Sequence, residues 1–190
     1  MTKNKKILLN SIYLLLILLT ICLYVINRIQ YNIILFSIMI TIFTTLFHFT
    51  IRYIFANFFY KMIEKKCTYD RSWFIEKVFE KKLFRIIRIK RWKLKLPTWN
   101  DDDFNLSETD FEKLMFNMCR AEVYHEICMI LSFVPILFSI LFGKFWVFYW
   151  TSIGGCLFDL LFVLIQRYNR PRVLKIYYAH KKKYQSKTEK

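Results

Sequence analysis

A chain of 190 residues has room for one domain, and at 56% apolar and 19% aromatic it is too hydrophobic to be disordered and unusual for a small soluble protein. Its formal charge of +16 raises nucleic acid as a partner, but the basic residues sit on no helix-turn-helix or RNP-like motif, so that class is set aside. Five cysteines, odd in number and without a CxxC pair, argue against a disulfide framework or a zinc site.

In chain order, three lysines precede an uncharged apolar run from Ile7 to Ile26, long enough to cross the hydrocarbon core. A cleaved signal peptide would be shorter and would end in an A-x-A-like site, so an uncleaved anchor is expected. A turn around Asn27 and Asn32 leads to a second run, Ile33 to Phe59, which contains His48 and Arg52. Between Tyr60 and Pro97 charge and aromatics are mixed, and Ile75, Val78, Phe79, Leu83, Ile86 and Ile87 keep helical spacing, as in an interfacial amphipathic helix. This basic segment reads either as an anchor on acidic lipid or as a platform for an anionic head group. From Ile87 to Leu96 the pattern alternates, consistent with an extended stretch that Pro97 stops.

A polar loop with Asp101, Asp102 and Asp103 follows, and Ser107 with Asp110 resembles a capping box at the start of the next helix. In that helix Phe111, Leu114, Met115 and Met118 fall on one face, and Glu122, His125 and Met129 continue it. A carboxylate and an imidazole are thereby carried to the boundary of a third apolar run, Ile127 to Phe142, with a kink expected at Pro135. Unpaired charge is expensive there, so a polar partner must meet them. Gly143 and Lys144 make a minimal turn into a last run, Phe145 to Ile165, holding a lone Asp159.

The expected fold is therefore an all-α integral membrane protein, a single domain over 1–190. Its four helices lie near 7–26, 33–56, 125–142 and 145–165, with a cytoplasmic interfacial segment over about 60–110 and a basic tail over 166–190. Lys and Arg crowd on one side of these runs, so both termini and the central segment are expected in the cytoplasm of a multi-pass cell-membrane protein.

The last run ends in Gln166-Arg167-Tyr168-Asn169-Arg170-Pro171-Arg172. Its arginine forks suit phosphate or carboxylate, and equally suit a plain helix-end anchor. This QRYNRPR segment, with Arg120, Ala121, Glu122 and His125 (RAExxH) upstream and Trp92, Lys93 and Lys95 (WKxK) before that, resembles the glycosyl-4,4'-diaponeurosporenoate acyltransferase family of staphyloxanthin-type carotenoid synthesis. Glu126 stands where that family tends to carry Trp, and Asp159 where Asn is expected. The resemblance implies transfer of a fatty acyl group to a hydroxyl of a lipid-linked or carotenoid-linked sugar, with acyl-CoA or acyl-carrier protein as donor and no bound cofactor.

Such a reaction needs a base, and His125 is the natural one, with Glu122 a turn earlier, or Glu126 beside it, as orienting partner. Arg120, Trp92, Lys93, Gln166, Arg167, Tyr168, Asn169, Arg170 and Arg172 are the candidate substrate-binding residues, with Arg120, Arg167, Arg170 and Arg172 suited to the phosphates of an acyl carrier. The competing reading makes Glu122, His125 and the arginines a structural ion-pair network, in a membrane adaptor whose basic face recruits a partner or anionic lipid. Glu122-x-x-His125 also has di-iron helix spacing, but neither His48 nor His180 repeats it, and no metal is expected.

Overall fold

The structure, a computed structural model, describes residues 3–63, 67–96 and 111–188, and every regular element among them is helical. The expected loop with its three aspartates and the Ser107/Asp110 cap lies outside the described residues. Helices α1 (Lys3–Ile29), α2 (Ile33–Ile63), α3 (Val78–Ile86), α4 (Ile89–Trp92), α5 (Phe111–Leu131), α6 (Ser139–Phe142) and α7 (Phe145–Thr188) follow in order. Four segments are long and apolar enough to cross a membrane: Asn10–Ile29, Ile33–Phe55, Phe111–Phe142 and Phe145–Ala179. The chain is an all-α membrane protein.

Its residues gather into two compact units, one of Met1–Lys61 and Tyr124–Leu160, the other of Met62–Val123 and Leu161–Lys190. In the first, Met39, Ile40 and Phe148 form a core with Leu23, Phe36, Phe138 and Val147. Around them large apolar side chains such as Leu15, Ile140 and Leu141 face outward, as suits a lipid solvent. The turn between α1 and α2 is fixed by two asparagines. Asn32 Oδ1 accepts from the N–H groups of Ile34 (2.8 Å) and Leu35 (3.2 Å), capping α2, while Asn27 Nδ2 donates to the Leu23 carbonyl at 3.0 Å. Within the apolar helices the hydroxyls of Thr20, Ser37, Thr41 and Thr50 donate to carbonyls four residues back, which satisfies them in an apolar medium. Pro135 does more than kink its helix: α5 stops at Leu131 and a 3-10 turn, Val134–Phe138, precedes α6. Gly143 (φ 65°) and Lys144 (φ 57°) then turn the chain into α7.

In the second unit the stripe Leu114, Met115 and Met118 is buried against Val173, with Phe111, Leu174 and Tyr177 beside it. Glu80 caps α3 by accepting from the Lys77 N–H at 3.0 Å. Phe84 and Ile89 are buried with Tyr168, while Val78, Phe79 and Ile86 point outward, as an interfacial helix requires. Residues 87–95 are not extended. Arg88 adopts a left-handed conformation (φ 50°, ψ 43°) that ends α3 and starts α4, and a 3-10 turn, Lys93–Lys95, follows. The alternating pattern loses here because a lone strand leaves its backbone unpaired, whereas a helical turn buries Ile89 and lets Trp92 Nε1 donate to the Ile87 carbonyl at 2.9 Å. The expected end of the last helix near Ile165 also gives way, since α7 continues through Pro171 to Thr188.

Candidate active site

His125 lies in the first unit, on the last turns of α5, with 17% of its side chain exposed. Its Nδ1 is 2.8 Å from Asp159 Oδ1 on α7, a carboxylate with no solvent exposure. An ionised carboxylate in an apolar helix needs a cation, and Arg52 of α2 supplies it: Nη2 reaches Oδ2 at 2.5 Å and Nε reaches Oδ1 at 3.3 Å. The rest of the guanidinium donates to the carbonyls of His48 (2.8 Å) and Gly155 (3.1 Å), so its position is fixed on both helices. Tyr124 completes the cluster, its hydroxyl donating to the Arg52 carbonyl at 2.7 Å and its ring lying edge-on to His125. Gly155 is needed for this approach, because a Cβ there would lie 2.9 Å from the buried His48 ring.

The carboxylate on His125 Nδ1 is thus Asp159 and not Glu122, the partner expected from helical spacing. An acceptor on Nδ1 holds the proton on that nitrogen and leaves the lone pair on Nε2. Glu126 is half-buried one residue further along.

Glu122 belongs to the second unit, fully buried. Its Oε1 accepts from Arg167 Nη1 at 2.6 Å and its Oε2 from Arg170 Nη1. Arg167 Nε also donates to Glu80 Oε1 at 2.6 Å, and Arg170 donates through Nε (3.1 Å) and Nη2 (2.5 Å) to the Phe74 carbonyl, with its guanidinium over the Phe74 ring. Arg167 and Arg170, expected on donor phosphates, are committed to protein carboxylates and carbonyls. They stand three residues apart and so share a face of α7, and a buried Glu122 requires such cations. These contacts before Pro171, and the packing of Val173 against Leu114, Met115 and Met118 after it, hold both flanks of the proline to α5, and α7 continues where a proline would otherwise break it.

Two of the motifs do meet. Lys93 Nζ donates to Asn169 Oδ1 at 2.7 Å and lies 4.9 Å from the centroid of Tyr168, while Arg172 stacks on the same ring at 3.4 Å and bonds the Tyr168 carbonyl. Burial holds the Lys93 pKa below its ordinary 10.5, and the neighbouring Arg172 and Lys90 lower it further. Arg120 donates to Asn117 Oδ1 at 3.1 Å and lies over Phe116; Gln166 is half-buried and Lys95 exposed. Among the described residues no group of three or more His, Cys, Asp and Glu is placed to hold a metal ion.

Sequence reasoning gave no place in the site to Asp159, Tyr124 or Glu80, and read Arg52 only as a side chain snorkelling from the end of its apolar run. The available signal was that Arg52 and Asp159 are opposite lone charges in two apolar runs, which in lipid must find each other. A family model described as glycosyl-4,4'-diaponeurosporenoate acyltransferase matches residues 70–179, which include His125, Asp159 and all of QRYNRPR but not Arg52 or His48. No curated protein and no solved structure matches the chain.

Proposed function

Because the chain belongs to the glycosyl-4,4'-diaponeurosporenoate acyltransferase family, an acyltransferase family of carotenoid biosynthesis, we propose that it transfers a fatty acyl group to a hydroxyl of a lipid-linked or carotenoid-linked sugar, with His125 as general base. The acyl donor in this reading is the thioester of a phosphorylated carrier, acyl-CoA or acyl-carrier protein. The observation that carries it is the 2.8 Å contact between His125 Nδ1 and Asp159, itself held by Arg52 at 2.5 Å.

Asp159 orients the ring with Nε2 basic, and Nε2 takes the proton of the sugar hydroxyl as its oxygen attacks the thioester carbonyl. The tetrahedral adduct collapses with cleavage of the C–S bond. The proton on Nε2 passes to the departing thiolate, so the ester and the free thiol form and His125 returns to its starting state. Asp159 stabilises the imidazolium between these steps without being protonated itself. Glu122 takes no part in this proton transfer; with Arg167 and Arg170 it ties α5 to α7. Glu126 remains the alternative partner, and a larger loss at Glu126→Gln than at Asp159→Asn would reverse the assignment.

His125→Gln keeps size and hydrogen bonding but lacks a basic nitrogen, so acyl transfer should fall by about 10² to 10⁴. Mass spectrometry of lipid extracts from cells with and without the protein reads the added acyl mass. A His125→Gln protein inserted at normal level and acylating at the wild-type rate would sink the proposal.

The distribution of Lys and Arg favours both termini and the α3–α4 segment on the cytoplasmic side, where such donors are made. A reporter fused after Lys190 and active outside the cell would overturn this orientation. The exposed basic face of α3 and α4 favours a second reading, a membrane adaptor, and that protein would keep its function with His125→Gln.

A further inference from the structure

Within the second unit, a solvent-open cavity of about 420 Å³ is lined by Lys81, Arg85, Arg88, Lys90, Arg91 and Arg172. The one carboxylate in its wall is Glu76, 4.0 Å from the exposed Lys81. Arg85, Arg88, Lys90 and Arg91 make no ion pair among the described residues. Six cations around one small volume repel one another, a cost that an anion between them would relieve. The backbone is bent to bring them together: the left-handed Arg88 turns α3 into α4, so that Arg85 from one helix and Lys90 and Arg91 from the other face the same space. Non-glycine residues in that conformation are uncommon and concentrate at ligand sites. The floor is of a different kind, made by the buried Phe84, Ile89 and Tyr168, with the Phe84 and Tyr168 rings edge to face at 5.4 Å.

We infer that this cavity is an anion site that takes a multiply phosphorylated group such as that of a nucleotide, its phosphates held by the arginine forks. Arginine forks match phosphate bidentately, and the volume falls in the range of about 300–1,000 Å³ usual for small-molecule sites. A bilayer surface would need no concavity. The inference rests on the acyltransferase reading only in its choice of ligand, since a coenzyme A thioester carries a nucleotide of this kind while acyl-carrier protein presents a single phosphate on an acidic surface. Of the residues first singled out for substrate binding, Arg172 and Tyr168 belong to this cavity; Arg167 and Arg170 do not.

The test is calorimetric titration of coenzyme A, with pyrophosphate as competitor, into the full chain in nanodiscs of zwitterionic or of anionic lipid. Saturable binding in zwitterionic discs is expected, displaced by pyrophosphate and weakened by salt. Arg88→Gly and Arg91→Gln should each weaken it tenfold or more. Glycine suits the left-handed backbone, so Arg88→Gly should fold with an unchanged or higher Tm, which separates lost binding from lost structure. His125→Gln should bind coenzyme A like the wild type. The inference is overturned if the Arg88→Gly/Arg91→Gln double variant binds unchanged. It is equally overturned if coenzyme A fails to bind while anionic lipid or acyl-carrier protein does. Binding without any acyl transfer would sink the enzymatic reading and leave this site standing, whereas acyl transfer with wild-type kcat and KM in the double variant would do the reverse.

Discussion

Replacing Asp159 with Asn keeps the shape of the side chain and removes its charge. Arg52, with 16% of its side chain exposed, then faces an amide at 2.5 and 3.3 Å in place of a carboxylate with no exposure. Breaking a buried pair from one side costs about 3–5 kcal/mol because it strands the other charge, and the low end, about 3 kcal/mol, applies because Arg52 keeps the His48 and Gly155 carbonyls. Arg52→Gln strands Asp159 in the same way, at about the same cost. In the double variant no charge is stranded, so the loss should be no larger than either single loss, at most about 3 kcal/mol against a sum of about 6, a coupling of about 3 kcal/mol or more, at the upper end for groups in contact. Activity should behave differently. An amide that turns its N–H toward His125 Nδ1 imposes the wrong tautomer, and the loss, about 10⁴ for the same exchange in a Ser-His-Asp triad, should not return with Arg52→Gln. Reversible unfolding in mixed micelles, followed by circular dichroism, measures the first quantity, and acylated product by mass spectrometry the second. Single variants that lose less than about 1 kcal/mol, or a double variant that loses the full sum, would refute the buried-pair reasoning; Asp159→Asn at wild-type rate would remove Asp159 from the base.

Glu122→Gln leaves Arg167 and Arg170 buried with a carboxylate lost, so it should destabilise by about 3–5 kcal/mol in the same unfolding assay, with His125-dependent catalysis surviving in whatever protein folds. Gly155→Ala should cost about 1–3 kcal/mol by overpacking against His48, and adding His48→Ala should recover part of it; a plain sum of the two losses would show that the contact does not matter. Lys93 has a pKa below 10.5 in the folded protein, so the unfolded chain binds the extra proton and stability should rise as pH climbs toward that value. In Lys93→Met this rise should be smaller, and an unaltered stability–pH curve would contradict the burial of the ammonium.

The number of membrane helices was legible in the sequence because the length of an apolar run is a one-dimensional property that lipid reads directly. The same is true of the asparagine-capped turn, the Gly143-Lys144 reversal, and the stripe of Leu114, Met115 and Met118 that carries Glu122 into the interior: each depends on neighbours within a turn or two. QRYNRPR and RAExxH also stood out as the residues to examine. Their partners did not, because pairing depends on how far each helix is rotated and how deep each residue lies, and sequence spacing fixes neither between helices. Helical spacing offered Glu122 to His125, yet the carboxylate on Nδ1 comes from Asp159, and Glu122 goes to two arginines because a buried anion takes the cations within reach. Pro171 marks a helix end by local rules, but contacts from α3 and α5 on both sides of it outweigh the one hydrogen bond it removes. Arg88 carries no sign of a left-handed turn, since arginine does not favour one; the burial of Phe84, Ile89 and Tyr168 on either side imposes it. That tertiary choice gathers the cations of α3, α4 and α7 around one cavity.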